Sequence, residues 1–529
     1  MYNILAETLI RYYRTGSGVL DASLPQVYAA LAADEVEAFP ALRPHQRHAW
    51  HAFLVQLGAM AMHREGLADP PETAEEWADL LRGLTPDWPG DEPWQLVVDD
   101  ITMPAFMQPP ARAREREQDY KTIATTPDDL DMLVTSKNHD LKSKVAEQAH
   151  FDDWIFALVT LQTMEGYAGA GNHGISRMNG GLGNRPAFSL APSGGGLGVH
   201  VRRDIKALLE FRPEILDKNT HYPDAGGVTL LWTLPWDGTP GETLLPDQLD
   251  LLYIEICRRI RLKAGALGAL LGMRTSSKAA RLEGKALGGR TGDPWTPTNP
   301  KREGLPLTMG AGGFHYKRVT EYISEWDHPS LLRPTGEERR STEPMLLVAR
   351  AMVRGQGKTE GYHERIVEIG HKGPRTKSAM LGGAASQELG EIANKRIEEV
   401  GKVQRILSHS IQTFLARGDA EDASPEHRNL ARPWLNRLDE IVDATFFDDL
   451  QTEFEADASE RQNIRNRWLL NDEDRSGVIN HARALLRSAT ESLPCPAIYR
   501  YKAQANAEGL FEGRLRGNGG LPDLFKDRE

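Results

Sequence analysis

Val400-Gly-Lys-Val403-Gln-Arg-Ile-Leu407-Ser-His-Ser-Ile411-Gln-Thr-Phe414 sets large apolar side chains at steps of three, four, four and three. This is the spacing of a helix that buries one face. Leu435, Leu438 and Val442 begin a second stripe, and further helices are predicted over Phe446 to Leu470 and Arg475 to Ser492. Glycine thins out beyond Gly390, and helices joined by short loops read as a four-helix bundle over residues 374–529.

N-terminal to Gly370-His-Lys-Gly-Pro374 the pattern differs. Strand-like runs at Val228 to Leu234 and Met345 to Ala349 are separated by Pro- and Gly-rich connections. Pro44 precedes Trp50, Leu54, Leu57 and Ala61, which predict one face of a packed helix. Thr102 to Asp119, with Pro104, Pro109, Pro110 and then Ala-Arg-Ala-Arg-Glu-Arg-Glu-Gln, reads as a surface loop. The fold class expected is α+β: a large irregular N-terminal α/β domain over residues 1–373, then the bundle. A chain of 529 residues exceeds what one core serves, about 250–300 residues.

With 40% hydrophobic and 26% charged residues the composition is that of a folded globular protein. A net charge of −12 excludes uniform coating of nucleic acid, so any phosphate contact must come from local basic segments. Two cysteines, Cys257 and Cys495, form neither a disulfide framework nor a thiolate zinc pattern, and no metal or cofactor is expected. The start, Met-Tyr-Asn-Ile-Leu-Ala-Glu, carries no signal-peptide pattern, and no apolar stretch approaches the ~20 residues of a membrane span. The expected location is the cytoplasm, without membrane contact.

Glycines crowd between Gly166 and Gly198, beginning with Gly166-Tyr-Ala-Gly-Ala-Gly-Asn172. Such density admits positive φ and close backbone approach to a ligand, and it also serves plain turns. Basic character is local: Lys137-Asn-His-Asp-Leu-Lys142-Ser-Lys144, then Arg274 to Arg290 with Lys278, Arg281 and Lys285, then Lys301-Arg302 and Lys317-Arg318. Such runs are commonly solvated faces, yet cations and backbone amides together also make a surface for phosphates and groove edges. Gly355-Gln-Gly-Lys-Thr359 resembles the end of a phosphate-binding P-loop, but Met352 stands where the first glycine belongs and Glu360-Gly361 where a helix should begin. His363-Glu364 and His371 are conceivable metal ligands, and no nucleophile elbow, His-Glu-x-x-His helix or Cys–His set occurs. The chain therefore reads as a binder rather than an enzyme.

The order of landmarks resembles the CasA family, the large subunit of the type I-E CRISPR Cascade. These are the Asn-Ile-Leu opening, the Trp50 to Met62 helix, Pro-Ala-Phe-Met-Gln108, the glycine loop at Gly166, Asp-Pro-Trp295, Arg-Gly-Gln-Gly-Lys358 and the helical end. The resemblance implies a non-catalytic subunit that holds the 5′ end of the CRISPR RNA complex. It would read the protospacer-adjacent motif (PAM) of double-stranded DNA from the minor groove, begin strand separation for the R-loop, and dock a helicase–nuclease. Partners implied are CRISPR RNA, target DNA, the backbone, small and handle-binding Cascade subunits, and that effector. By position, Gly166, Tyr167, Gly169, Gly171 and Asn172 look like the groove loop, and Lys285 lies near a groove-contacting lysine. Gln356 resembles the strand-separating wedge, or Gly357 if no gap is allowed, with Lys358 beside them. Lys301-Arg302 matches a basic pair near the DNA path, and Lys137, Asn138, Lys142 and Lys144 fall in the loop that meets the RNA handle end. Some relatives carry a four-cysteine zinc site, which this chain lacks. The alternatives are a P-loop-like nucleotide-binding protein and a helical scaffold that meets no nucleic acid.

Overall fold

The computed structural model describes residues 2–135, 149–178, 184–219, 221–265, 268–282, 284, 287, 290–355 and 358–526. The chain divides into two compact units, one of Met1–Phe314 with Glu325–Glu368, the other of His315–Ser324 with Ile369–Glu529.

In the first unit β1 (Ile10–Arg14) lies between β2 (Gly18–Ala22) and β3 (Val36–Ala38), with α1 (Leu24–Ala32) between the latter two in sequence. Ser23 caps α1 through a reciprocal box with Gln26, and Pro25 stands in its first turn. Then come α2 (Arg47–Arg64), α3 (Ala74–Gly83), β4 (Thr122–Ala124), α4 (Met132–Thr135), α5 (Phe151–Thr163), β5 (Ala187–Pro192) and α6 (Leu197–Lys218). The remaining strands are β6 (Val228–Leu230), β7 (Leu249–Ile254), β8 (Arg259–Ala264), β9 (Leu270–Thr275), β10 (Thr298–Asn299), β11 (Leu305–Pro306), β12 (Met345–Gly355) and β13 (Lys358–Ile369). Sheets run β4-β9-β8 and β13-β12-β5, with pairs β6-β7, which is parallel, and β10-β11. The run after Val228 is shorter than its composition suggests, because Leu231–Thr233 turns into a 3-10 helix.

The Trp50–Met62 segment buries more than one face. Every residue from His48 to Met62 is buried, so α2 is the axis of the unit rather than a surface helix. Gln56 is accommodated inside by hydrogen bonds. Gln56 donates to Leu252 O at 2.9 Å and its carbonyl oxygen receives Trp295 Nε1 at 3.3 Å. Gly58 lets α6 approach, since a Cβ there would meet Ile205 Cδ1 at 2.8 Å.

Pro104 to Ala111 corrects the surface-loop reading, for this stretch is buried and only Arg112 onward is largely exposed. Prolines remove donors that burial would otherwise leave unpaired, other N–H groups donate to backbone carbonyls, as Phe106 N does to Gln95 O at 2.8 Å, and two glutamines serve carbonyls of the stretch. Gln108 donates to Leu96 O at 2.9 Å and Phe106 O at 3.1 Å, and accepts from Leu262 N at 2.6 Å. Gln162 reaches in from α5 to Met107 O at 2.8 Å.

The second unit holds α7 (Tyr316–Glu325, the last residue excepted), α9 (Pro374–Met380), α10 (Ser386–Leu415), α11 (Pro425–Glu455), α12 (Ala458–Leu469), α13 (Val478–Ser492) and α14 (Ala497–Arg516); the short α8 (Gly336–Arg340) belongs to the first. Helix α10 packs on α11, α13 and α14 and buries Val400, Val403, Leu407, Ile411 and Phe414, the stripe read from the sequence. The α+β class with a C-terminal bundle of four long helices holds. Two boundaries differ: the stripe at Leu435 and the segment from Phe446 belong to one helix, α11, and the fourth long helix is α14. Arg396 and Glu453 form a buried ion pair at 2.6 Å, and the guanidinium lies 4.2 Å over the Trp468 ring. Tyr316 of α7 donates to Asp439 at 3.1 Å, and its backbone N donates to Asp443 at 2.7 Å.

Candidate nucleic-acid interface

Helix α5 ends at Thr163, and the chain then makes a loop closed at its base by Ile175 N donating to Glu165 O at 3.0 Å. Inside it Ala168 N donates to Asn172 O at 2.9 Å and Asn172 N to Gly169 O at 3.0 Å. Gly169 at φ +107° and Gly171 at φ +85° supply the left-handed turns. Gly174 is required for another reason: a Cβ there would sit 2.2 Å from the carbonyl carbon of Gly166. The two limbs touch backbone to backbone. Gly166 is buried, Tyr167 packs edge-on to His173 at 5.3 Å, and Ala170 and Asn172 are exposed at the tip.

Two side chains and one backbone amide from outside the loop hold it, and none was singled out from the sequence. Arg258 donates to Gly166 O at 3.1 Å and to His173 O, so one guanidinium ties both limbs, while Glu165 pairs with it at 3.4 Å. Asn184 accepts from Gly166 N at 3.3 Å. Ser277 N donates to Gly171 O at 2.8 Å, joining the tip to the end of β9. The signal available was the alternation Arg259-Ile-Arg261-Leu-Lys263 beside Arg258, a strand with more cations than an ordinary half-buried strand carries.

An open cleft runs beside the loop, lined by Ala168, Gly171, Asn172, Arg258, Arg274 and Ser276 among others. Arg274 is half-buried, and its Nε is enclosed without a hydrogen bond. Burial lowers its pKa, though a guanidinium stays charged. This cleft therefore combines glycine backbone, an exposed amide and a cation, a set suited to phosphate oxygens and groove edges.

Other members of the Arg274–Arg290 run go elsewhere. Arg281 is a core residue, 2% exposed, donating to the carbonyls of Glu242, Leu234 and Pro235 over the Trp236 ring. Burial brings its pKa down to about 10. Lys278 is exposed. Lys285 lies outside the described residues, as do Lys137, Asn138, Lys142, Lys144, Gln356 and Gly357. Lys301 and Arg302 are exposed in the turn between β10 and β11, with Lys301 paired to Glu325 at 2.6 Å. Lys317 pairs with Asp439 at 3.0 Å within the second unit.

Gly355 ends β12, and Lys358 opens β13, its sheet neighbour. A P-loop needs a helix after its lysine, and here a strand follows, with Met352 buried in β12. The imagined metal ligands are also dispersed: Glu364 accepts from Arg350 at 2.6 Å, and His371 pairs with Asp448 at 2.6 Å. Cys257 is buried, and its surroundings push the thiol up to about 12 by desolvation, so it is inert at neutral pH. No helix of the described residues is long and apolar enough to cross a membrane.

A family model described as CRISPR-associated protein Cse1 matches residues 12–471. Solved structures share the fold over nearly the whole chain. CasA of Thermus thermophilus is 14% identical with a TM-score of 0.63, covering 97% of this chain and 99% of the other. Cse1 of Thermobifida fusca is 15% identical with a TM-score of 0.63, covering 97% of each chain. A chain of a CRISPR RNA-guided surveillance complex is 11% identical with a TM-score of 0.53, covering 97% of this chain and 99% of its own. No curated protein matches by sequence.

Proposed function

Because the chain belongs to the CRISPR-associated Cse1 family, the large subunits of type I-E Cascade, we propose that it reads the PAM in duplex DNA from the minor groove and starts strand separation. Docking of the helicase–nuclease is part of the same reading, as are contacts with CRISPR RNA and the other subunits. The observation that supports it is the loop Gly166 to Asn172, held on both limbs by Arg258 beside a cleft containing Arg274. The minor groove presents few donors and a degenerate acceptor pattern, so a reader gains from backbone that can approach closely and from an amide such as Asn172. Sequence identity in the target is then left to guide pairing, and the protein needs only to begin opening the duplex.

The test uses Cascade assembled with and without this chain, on targets with correct and scrambled PAMs. Discrimination between them should require the chain. Equal binding of both targets by the complete complex would defeat the reading. For strand separation, Gln356→Ala in the assembled complex should slow R-loop formation on intact duplex more than on a target premelted next to the PAM. Equal slowing on both would remove Gln356 from the wedge.

A further inference from the structure

Away from the glycine loop, three nitrogen and oxygen donors converge between α2 and α6. His51 stands on α2; His200 and Asp204 stand four residues apart on α6, and so share one face of it. One ligand atom from each lies within 4.8 Å of the others, and all three residues are buried. The contact is sharper than that limit. His51 Nε2 is 2.7 Å and His200 Nε2 3.2 Å from the same oxygen, Asp204 Oδ2, while Asp204 Oδ1 receives Arg203 Nη1 at 2.9 Å.

We infer that His51, His200 and Asp204 form a binding site for one divalent transition-metal ion of the zinc class, joining α2 to α6. Two imidazoles and a carboxylate are the donors that such ions prefer, whereas magnesium and calcium demand oxygen. Arg203 fixes the carboxylate so that Oδ2 alone faces the imidazoles, the kind of outer-shell support that orients a metal ligand. Ser189 Oγ, 3.1 Å from His200 Nε2, places a further oxygen beside the set. An entry path exists, since His51 also lines an open cleft with Glu37, Arg47, Trp50, Val201 and Arg350. Arg350 there is paired with Glu364 at 2.6 Å, which tempers its repulsion of a cation. Gly58, by admitting Ile205, sets the closeness of the two helices that brings the donors together.

The whole chain, stripped with chelator, should bind one equivalent of Zn2+ by isothermal titration and unfold at higher temperature with Zn2+ than without, since a ligand that binds only the folded state stabilises it. Co2+ in its place should give the intense visible bands of a tetrahedral or five-coordinate ion with nitrogen ligands. His200→Gln, whose amide can still bond to Asp204, should keep the circular-dichroism spectrum, lose the Co2+ bands and weaken Zn2+ binding at least tenfold. Binding and bands unchanged in a folded His200→Gln variant would overturn the site. Should that variant not fold, the wild-type chain decides: no such bands with Co2+ and no rise in unfolding temperature with Zn2+ would overturn it equally.

Discussion

Gln162 grips Arg258 by its backbone from both sides: its side-chain oxygen accepts from Arg258 N at 2.8 Å, and its side-chain NH2 donates to Arg258 O at 2.9 Å. The same oxygen accepts from Cys257 N at 2.9 Å, and the same NH2 donates to Met107 O at 2.8 Å. One buried amide thus fixes the arginine that ties the two limbs of the glycine loop.

Gln162→Leu keeps the volume and removes every one of these bonds. Four buried backbone groups are left unpaired at about 1–3 kcal/mol each, so a loss of at least about 4 kcal/mol is expected in the first unit. Chemical denaturation followed by tryptophan fluorescence measures it, and a loss below about 1 kcal/mol would mean that water replaces the amide. The glycine loop should also become more susceptible to proteolysis, because Arg258 loses its fixed base.

Gly169→Val and Gly171→Val should each weaken PAM-dependent target binding by the assembled complex. At Gly169 nothing lies within 4 Å of an added Cβ, so the effect there comes from the φ of +107° alone. At Gly171 the Cβ also meets Ser276 Cβ at 3.1 Å. A β-branched residue in this region costs of order 1–3 kcal/mol of backbone strain. Intact discrimination between correct and scrambled PAMs in both variants would take this loop out of the interface.

The pair Lys301→Ala with Arg302→Ala tests phosphate contact. Each lost contact lowers the salt slope by ~0.9 on duplex DNA. Because Lys301 is already paired with Glu325, the double variant should lower the slope by about one contact rather than two, with little dependence on sequence. A slope identical to wild type assigns both residues to the solvated surface.

His48 tests the interior of α2. It is buried, both ring nitrogens lack a hydrogen bond, and desolvation pulls its pKa from 6.5 to about 3. The folded state resists the proton that the unfolded chain takes up. Its share of stability is present above pH 6.5 and is lost as pH falls toward about 3, by roughly 1.4 kcal/mol per pH unit at most. His48→Leu should therefore match wild type near neutrality and unfold less readily in acid. Parallel pH profiles for the two proteins would show that the ring is charged or hydrated in the fold.

The bundle was legible because Val400, Val403, Leu407, Ile411 and Phe414 are large, and large apolar side chains make the helical period visible. Helix α14 escaped for the opposite reason. Its buried seam is Ala503, Ala507, Phe511 and Leu515, and two alanines do not mark a face. Pro104 to Ala111 was misread because prolines and a following charge run speak of exposure, while its burial depends on Gln162 and Leu262, far away in sequence. The glycine loop was legible as flexible backbone, but Arg258 and Asn184, which shape it, act across the fold and leave no local period. Arg281 shows the converse, a cation in a basic run that serves the carbonyls of the core.

Helix α7 supplies the last consequence. His315–Ser324 belongs to the helical unit although chain of the first unit lies on both sides of it, so the polypeptide passes between units three times. During synthesis this helix emerges well before Asp439, Asp443 and Phe446, the residues that receive Tyr316. Its socket is made only after it. A fragment cut at residue 369 would leave that socket empty, with Phe446 uncovered. The helical unit is therefore a spliced module rather than a detachable tail, complete only when His315–Ser324 has been joined by the chain from Ile369 onward.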